Sequence, residues 1–279
     1  MYSLPCKFKQ IIVHIGLEKT GTTSIQNFLN DNVSFLKAEN IIYPKYDRNR
    51  HDLLSYYFSD QSINSDIPRP KLISSFGEYM KNLADTLSYD LENSTLIFSD
   101  ELISSRLTRT QCKRLVTELK KYAETVFVIS VFREPRAYIW SLYAEAVKAG
   151  ETRNFCNWCD EFDYIDLNWS QHIKNWESLV GEKYKYTSFE HHPNSIEAFQ
   201  NLLLRCGLVS EHLRNNKVNK RLNVSLSSIG IYLLRYLNHI PILFVRRVAR
   251  KLLTFIPGKR LPPSFEEQEC LNFLVNKFK

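Results

Sequence analysis

The sequence predicts an α/β protein built on a parallel β-sheet, and two observations lead to this class. Short apolar runs typical of buried strands recur along the chain, at residues 11–15, 94–98 and 125–132, with a weaker one at 183–186. Amphipathic helical patterns of about 10 to 15 residues lie between these runs, as expected when helices cover a parallel sheet. We therefore predict one domain for residues 1–279, with a helical C-terminal layer from about residue 210.

The helical segments follow from the spacing of their apolar residues and from their end signals. They are residues 22–36, 71–87, 110–122, 138–149 and 195–206, and a long interrupted stretch at 223–255. Pro193 and Asn194 open the helix at 195–206, and Gly207 closes it. Residues 256–265 contain three prolines and a glycine and predict a loop, which a short amphipathic helix follows.

The composition excludes a disordered or fibrous chain. Hydrophobic residues make up 44% of the sequence and aromatic residues 13%, which is enough for a packed core. The net charge of +7 suits polyanionic partners such as nucleotides, nucleic acid, acidic glycans or a membrane surface. Ordinary solubility charge explains a value of this size equally well.

The six cysteines do not predict a disulfide framework or a metal site. Cys156 and Cys159 have CxxC spacing, but a zinc site would need a second cysteine or histidine pair. We therefore expect free structural thiols. The N-terminal residues lack the apolar stretch of a secretory signal, and no apolar run approaches the roughly 18 residues of a membrane span. The expected location is the cytoplasm.

Residues 11–29 predict a strand, a loop and a helix start that bind a phosphate or sulfate group. The loop sequence GLEKTG (16–21) follows the strand, and TTSI begins the helix. The N–H groups and the positive dipole end of a helix start attract anions. Gly21 lets the backbone approach an anion closely, and Lys19 adds a positive charge. Hydroxyl donors are available at Thr20, Thr22 and Thr23.

The order of residues differs from that of the Walker A phosphate loop, in which Ser or Thr follows GxxxxGK. Here Lys19 and Thr20 precede Gly21, and no Walker B aspartate for magnesium is evident. The alternative is an ordinary strand-to-helix turn with incidental hydroxyls. That alternative does not account for five consecutive anion-compatible residues.

A second anion site is predicted after the third strand. Residues 125–132 end at Arg133, and Ser141 follows eight residues later in an aromatic-rich helix. Ligands of open α/β sheets bind beyond the carboxyl ends of the strands, so this pair could hold a second phosphate. Taken alone, a helix-capping arginine and a buried serine explain the pair better.

Together the two segments resemble the sulfotransferases that use 3′-phosphoadenosine-5′-phosphosulfate (PAPS). The sequence KTGTT (19–23) is similar to their 5′-phosphosulfate loop, and FREP (132–135) with Ser141 is similar to their 3′-phosphate site. The resemblance includes IFSDE (97–101), YTSFE (186–190) and NVS (223–225), spans roughly residues 10–255, and is closest to bacterial members that act on carbohydrates. It implies a three-layer P-loop-like fold with a central parallel sheet, PAPS as the donor and no metal ion.

The resemblance also implies roles for individual residues. The backbone N–H groups of residues 19–23 would hold the 5′-phosphosulfate, and Lys19 would stabilise the charge on the bridging oxygen as the S–O bond breaks. Arg133 and Ser141 would hold the 3′-phosphate, for which a forked guanidinium is well suited. The Arg-Lys-Gly tail motif of cytosolic members, which also holds this phosphate, is not evident.

Two residues are the main candidates for the base that takes the acceptor's proton. Glu101 follows the second strand at the ligand-binding edge, although it could instead cap the next helix. His51 lies where related bacterial sequences often carry histidine, although it could be a surface residue. We place Glu101 before His51 and both before Asp100. His14, within the first strand, is expected to be a hydrogen-bonded core histidine.

The expected acceptor is a hydroxyl of a saccharide or glycolipid, read by variable loops such as 44–75 and 151–170. A P-loop nucleotide kinase or other phosphotransferase and a non-catalytic nucleotide-binding protein are the alternative functions. We expect no nucleic-acid partner. The basic segment 232–254 could lie on an anionic membrane, but a core-facing helix with a solvated basic face is the commoner arrangement.

Overall fold

The computed structural model shows a mixed α/β architecture with two compact units. It describes residues 7–44, 53–59, 75–87, 90–160, 169–192, 194–215, 226–240, 248, 251–253 and 264–277. The first unit comprises Met1–Phe132 and His172–Asn219, and the second comprises Arg133–Gln171 and Lys220–Lys279. The first unit contains the sheet, and the described part of the second is helical.

Five parallel strands form one sheet in the order β2-β3-β1-β4-β5. The strands are β1 Phe8–His14, β2 Ile41–Ile42, β3 Thr95–Ser99, β4 Ala123–Phe132 and β5 Tyr184–Ser188. The four strands expected from the sequence are confirmed, and the two residues of β2 were too few to form a recognisable pattern. His14 is in register with Ser99 and Ile129, so β1 and β3 end side by side, and β4 continues three residues further, to Phe132.

Helices make up most of the remaining described chain. In chain order they are α1 Thr22–Asp31, α2 Val33–Ala38, α3 Leu53–Phe58, α4 Phe76–Thr86, α5 Leu102–Arg106, α6 Arg109–Leu119, α7 Pro135–Ala149, α8 Phe155–Asp160, α9 Trp169–Val180, α10 Ser195–Arg205, α11 Ser228–Leu237 and α12 Phe265–Lys277. The helix expected at 22–36 is interrupted at Asn32, whose side chain donates to the Phe28 carbonyl at 2.7 Å. Among the described helices, none has the length and apolar character needed to cross a bilayer.

Both faces of the sheet are covered, which gives the first unit three layers. Ile11 and Val13 pack in one core with side chains of α3, α4 and α6. Ile12 points to the other face and packs in a second core with side chains of α1 and α10. A strand that is buried on both faces has a continuous run of apolar residues, and these runs are what predicted the strands from the sequence. The expected three-layer fold with a central parallel sheet is confirmed.

The cysteines differ from the expectation of free thiols. Cys156 of α8 forms a disulfide with Cys270 of α12, with Cα atoms 5.7 Å apart. Burial raises the pKa of the Cys159 thiol to about 12, so this second cysteine of the CxxC pair is an inert core thiol. The expectation was wrong for Cys156 because its partner lies 114 residues away in the sequence.

Candidate functional site

The loop between β1 and α1 lies at the carboxyl edge of the sheet, beside the central strand. From β1 the chain moves outward to β2 and returns to β3, and from β3 it crosses to β4 on the other side of β1. The strand order therefore reverses at β1. Open α/β sheets bind ligands at such a reversal, beyond the carboxyl ends of the strands.

The backbone of this loop has the conformation of an anion site. Lys19 has φ 62° and Gly21 has φ 86°, both in the left-handed region. Positive φ is uncommon for a residue such as lysine and often marks a functional loop. Alternation of left- and right-handed residues turns successive N–H groups toward one concave surface, which binds anions.

The start of α1 leaves backbone donors available at this surface. No side chain caps the helix at Gly21, and its first turn contains no acidic residue. Within the described chain, the N–H groups of Gly21, Thr22 and Thr23 donate to no protein acceptor. These donors, the helix dipole and the half-buried Lys19 together favour a phosphate or sulfate group.

Two of the loop's threonine hydroxyls face inward. Thr20 Oγ1 donates to the Leu17 carbonyl at 2.6 Å, and Thr22 Oγ1 donates to the same carbonyl at 3.4 Å. Both side chains are buried, whereas Thr23 is half-buried. The hydroxyls of Thr20 and Thr22 therefore close the loop on itself. The Thr20 N–H also donates to the Leu17 carbonyl, at 3.4 Å, so the donors for an anion are the N–H groups of Gly21, Thr22 and Thr23.

Gly21 is also the point where the loop contacts α10. A Cβ added to Gly21 would lie 2.2 Å from Ser195 Oγ and 2.4 Å from Ser195 Cβ. The Ser195 hydroxyl donates to the Gly21 carbonyl at 3.4 Å. Only glycine fits this contact at a left-handed φ. Sequence reasoning did not identify Ser195, because 174 residues separate the partners and no local motif marks them.

A buried polar cluster lies beneath the loop. His14 Nδ1 is 2.9 Å from Ser99 Oγ, and Gln26 Nε2 donates to the Ser99 carbonyl at 2.9 Å. His14 Nε2 has no partner among the described residues and lies 2.9 Å from where a Cβ on Gly16 would stand. Burial lowers the pKa of His14 to about 3, so its imidazole is neutral near pH 7. The expectation of a hydrogen-bonded core histidine is confirmed.

Asp100 is a structural acceptor. Its buried carboxylate accepts hydrogen bonds from the Ser55 N–H at 2.7 Å, the Ser55 hydroxyl at 3.1 Å and the Leu102 N–H at 3.1 Å. These bonds tie the starts of α3 and α5 to the end of β3. A carboxylate engaged in this way is poorly placed to take a substrate's proton.

Glu101 lies at the N-cap position of α5, but its side chain makes no capping bond. The Glu101 side chain is half-buried. The Ser104 hydroxyl of α5 donates to the Ile15 carbonyl, which joins α5 to the segment between β1 and α1. Glu101 is therefore at the same edge as the loop. His51, the other base candidate, lies outside the described residues.

Arg133 and Ser141 belong to the second unit. Arg133 is the first residue after β4, and Ser141 is half-buried in the second turn of α7. The cap of α7 is Glu134, whose carboxylate accepts from the Ala137 N–H at 2.9 Å. The capping role that the alternative gave to Arg133 is therefore filled by Glu134. Among the described residues, no cluster of three or more His, Cys, Asp or Glu side chains could hold a metal ion.

The fold has a counterpart among solved structures. A sulfotransferase from Alicyclobacillus acidocaldarius is 16% identical to this chain and superposes with a TM-score of 0.50, covering 87% of this chain and 100% of that one. This likeness shows that the chain has the fold of that sulfotransferase. Retinol dehydratase, in complex with androsterone and the inactive cofactor PAP, is 15% identical to this chain, and the match covers 99% of this chain and 81% of that one. Its TM-score of 0.39 is too low to support an inference. No protein-family model matches the sequence, and no curated protein matches it.

Gly21→Ala is expected to destabilise the protein more than Gly207→Ala. Both glycines have left-handed φ values, 86° and 64°, so both alanines carry a cost of about 1–2 kcal/mol. The alanine at 21 also clashes with Ser195, and this overpacking adds about 1–3 kcal/mol. The alanine at 207 has no such clash, because nothing lies within 4 Å of its Cβ. Urea unfolding measures both costs. The double variant Gly21→Ala/Ser195→Gly should recover part of the loss, and equal losses for the two single variants would contradict the contact.

His14 is expected to make stability fall with acid below pH 6.5. The folded state keeps His14 neutral down to about pH 3, while the unfolded chain binds a proton near its usual pKa of 6.5. Between about pH 3 and pH 6.5 the unfolded state therefore binds more protons than the folded state. The unfolding free energy rises with pH in this range, by up to about 1.4 kcal/mol per pH unit, and His14 adds no further slope above pH 6.5. Urea unfolding at about pH 7 and about pH 5, above the usual carboxylate range, measures the slope.

His14→Asn should flatten this slope, whereas the same change at the exposed His212 should leave it intact. Identical slopes for the wild type and His14→Asn would mean that the imidazole is not kept neutral by burial.

Proposed function

We propose that this protein is an enzyme, a PAPS-dependent sulfotransferase that moves the sulfuryl group to a hydroxyl of a saccharide or glycolipid. The observation that carries the proposal is the loop 16–21, which follows the central strand of the sheet. Lys19 and Gly21 of this loop have left-handed backbone conformations, and no side chain caps the helix that follows. The sulfotransferase fold supports it independently. PAPS carries two separate anionic groups, the 5′-phosphosulfate and the 3′-phosphate, which matches the two proposed anion-binding segments.

The loop would bind the phosphosulfate end of PAPS. The N–H groups of Gly21, Thr22 and Thr23 donate to no acceptor in the part of the chain that the structure describes, so they can donate to an anion. The acceptor oxygen attacks sulfur, the bond from sulfur to the bridging oxygen breaks, and adenosine 3′,5′-bisphosphate leaves. Lys19 would stabilise the negative charge that develops on the bridging oxygen, so its effect would be on the rate of transfer.

Arg133 and Ser141 would bind the 3′-phosphate. Arg133 directly follows β4, which pairs with β1, the strand that leads into the loop. Its guanidinium can donate two parallel hydrogen bonds to a phosphate, and the half-buried Ser141 can donate a third. Lys19 and Arg133 would supply the positive charge that Mg²⁺ supplies in many phosphotransferases, so the proposed reaction gives no role to a metal ion.

Glu101 is the proposed base, with His51 as the second candidate. Support for placing Glu101 before Asp100 comes from the Asp100 carboxylate, which is buried and accepts three protein hydrogen bonds. The base takes the proton of the acceptor hydroxyl as its oxygen attacks sulfur.

The cytoplasm is our proposed location. The disulfide between Cys156 and Cys270 is typical of oxidising compartments and counts against it.

Incubation with radiolabelled PAPS and a glycan and lipid extract tests the function and identifies the acceptor. Transfer of label to a saccharide or glycolipid is expected. Tight binding of adenosine 3′,5′-bisphosphate without transfer to any acceptor would indicate a non-catalytic nucleotide-binding protein instead.

Lys19→Ala is expected to lower kcat by about 10²–10³-fold with a small change in KM for PAPS, because the lost charge acts on the transition state. Steady-state transfer to the acceptor found in the extract measures both constants. Lys9→Ala removes an exposed lysine of β1 and should leave them unchanged. A wild-type kcat for Lys19→Ala would remove the proposed role.

Arg133→Ala is expected to weaken donor binding, because a charge-assisted contact to the 3′-phosphate is lost. Calorimetric titration should show weaker binding of adenosine 3′,5′-bisphosphate but unchanged binding of adenosine 5′-phosphate, which lacks the 3′-phosphate. Arg136→Ala, at an exposed arginine in the first turn of α7, is the matched control. An equal effect on both nucleotides would place Arg133 away from the 3′-phosphate.

Glu101→Gln is expected to lower kcat by about 10²–10⁴-fold, because the amide cannot take a proton. His51→Asn should have a much smaller effect. Comparing the two variants in the same transfer assay assigns the base, and the reverse order of effects would assign it to His51.

A further inference from the structure

Positive charge is concentrated in one part of the sequence. Between Glu211 and Glu266 there is no Asp or Glu, while eleven Lys and Arg residues lie there. Because the whole chain carries +7, the rest of it is net acidic. A long segment with cations and without a single acid attracts an extended anionic partner.

Exposed apolar side chains are concentrated in the same part of the chain. Seven large hydrophobic residues of the described chain are exposed, and five of them lie in this acid-free segment: Ile229, Leu233, Tyr236, Val248 and Leu252. Scattered single residues of this kind are normal, but a group indicates an interaction surface.

Three of these residues form a stripe along α11. Ile229, Leu233 and Tyr236 are 50%, 44% and 65% exposed, and their spacing places them on one face of the helix. Ile231 and Leu234 of the same helix are buried. The helix is thus apolar on the face that packs in the protein and also on the face that meets solvent.

Cationic side chains accompany the stripe. The Arg235 guanidinium lies 5.0 Å from the Tyr236 ring centroid, which joins a positive charge to an exposed aromatic ring. The segment 251–253 packs on α11, since the Leu253 carbonyl is 3.4 Å from where a Cβ on Gly230 would stand. There Leu252 is 63% exposed, beside the exposed Lys251.

We propose that α11 and the segment 251–253 form a docking surface for an anionic lipid bilayer. Insertion of the stripe into the interface would remove its apolar side chains from water, and the surrounding cations would pair with lipid headgroups. A nucleic acid or an acidic glycan would satisfy the charge but would leave Ile229, Leu233 and Leu252 in water. The inference does not depend on the proposed transfer reaction.

Flotation of the full-length protein with vesicles tests the surface. The protein should float with vesicles of phosphatidylcholine and phosphatidylserine, much less with phosphatidylcholine alone, and less at high salt, because salt screens the attraction to headgroups. Ile229→Ser/Leu233→Ser is expected to weaken binding by about tenfold or more, because two apolar side chains no longer insert. Leu252→Ser, on a separate segment, should weaken it in the same direction.

Phe273→Ser is the matched control. Phe273 is 70% exposed in the same unit, but its helix α12 carries the exposed Glu266 and Glu269, which an anionic surface repels. Binding should therefore be unchanged. All the substituted side chains are exposed, so thermal unfolding should be close to that of the wild type.

Three results would overturn the proposal. The first is that the protein does not float with phosphatidylserine vesicles at low salt. The second is that the changes at Ile229, Leu233 and Leu252 leave vesicle binding intact. The third is that Phe273→Ser weakens vesicle binding as much as these changes do. Retention on heparin or DNA without vesicle binding would assign the basic segment to a polyanion instead.

Discussion

The close contact between Gly21 and Ser195 is the constraint on which the proposed site depends. It fixes the point where the loop after β1 turns into α1, and it admits no side chain at a left-handed φ. The inward hydroxyls of Thr20 and Thr22 close the loop from the other side. The N–H groups of the loop are therefore positioned before any ligand arrives, and such preorganisation is what makes electrostatic stabilisation effective.

Buried polar groups connect this loop to the ends of the neighbouring strands. Ser99 of β3 contacts both His14 of β1 and Gln26 of α1. Asp100, the next residue, accepts from the starts of α3 and α5. Hydrogen bonds are stronger in a low-dielectric interior than in water, so these contacts restrain the ends of the strands. They would hold the half-buried Glu101 at a defined place beside the loop, as the proposed role of base requires.

The sequence predicted the parts of the molecule that depend on local pattern. Strands buried on both faces appear as apolar runs, and the loop with Lys19 and Gly21 appears as a short motif. The Ser195 contact and the Cys156–Cys270 disulfide are long-range and have no local signal. The stripe of Ile229, Leu233 and Tyr236 looked like part of a core-facing helix, because spacing alone does not show whether an apolar face is covered.

Calorimetric titration of the protein with PAPS and with ATP, each with and without Mg²⁺, tests the central claim most directly. The claim is that the loop 16–23 is built for the phosphosulfate end of PAPS. It predicts that PAPS binds more tightly than ATP, that Mg²⁺ does not strengthen PAPS binding, and that Gly21→Ala greatly weakens it. Tighter binding of ATP with Mg²⁺, or PAPS binding that Gly21→Ala leaves unchanged, would contradict the claim.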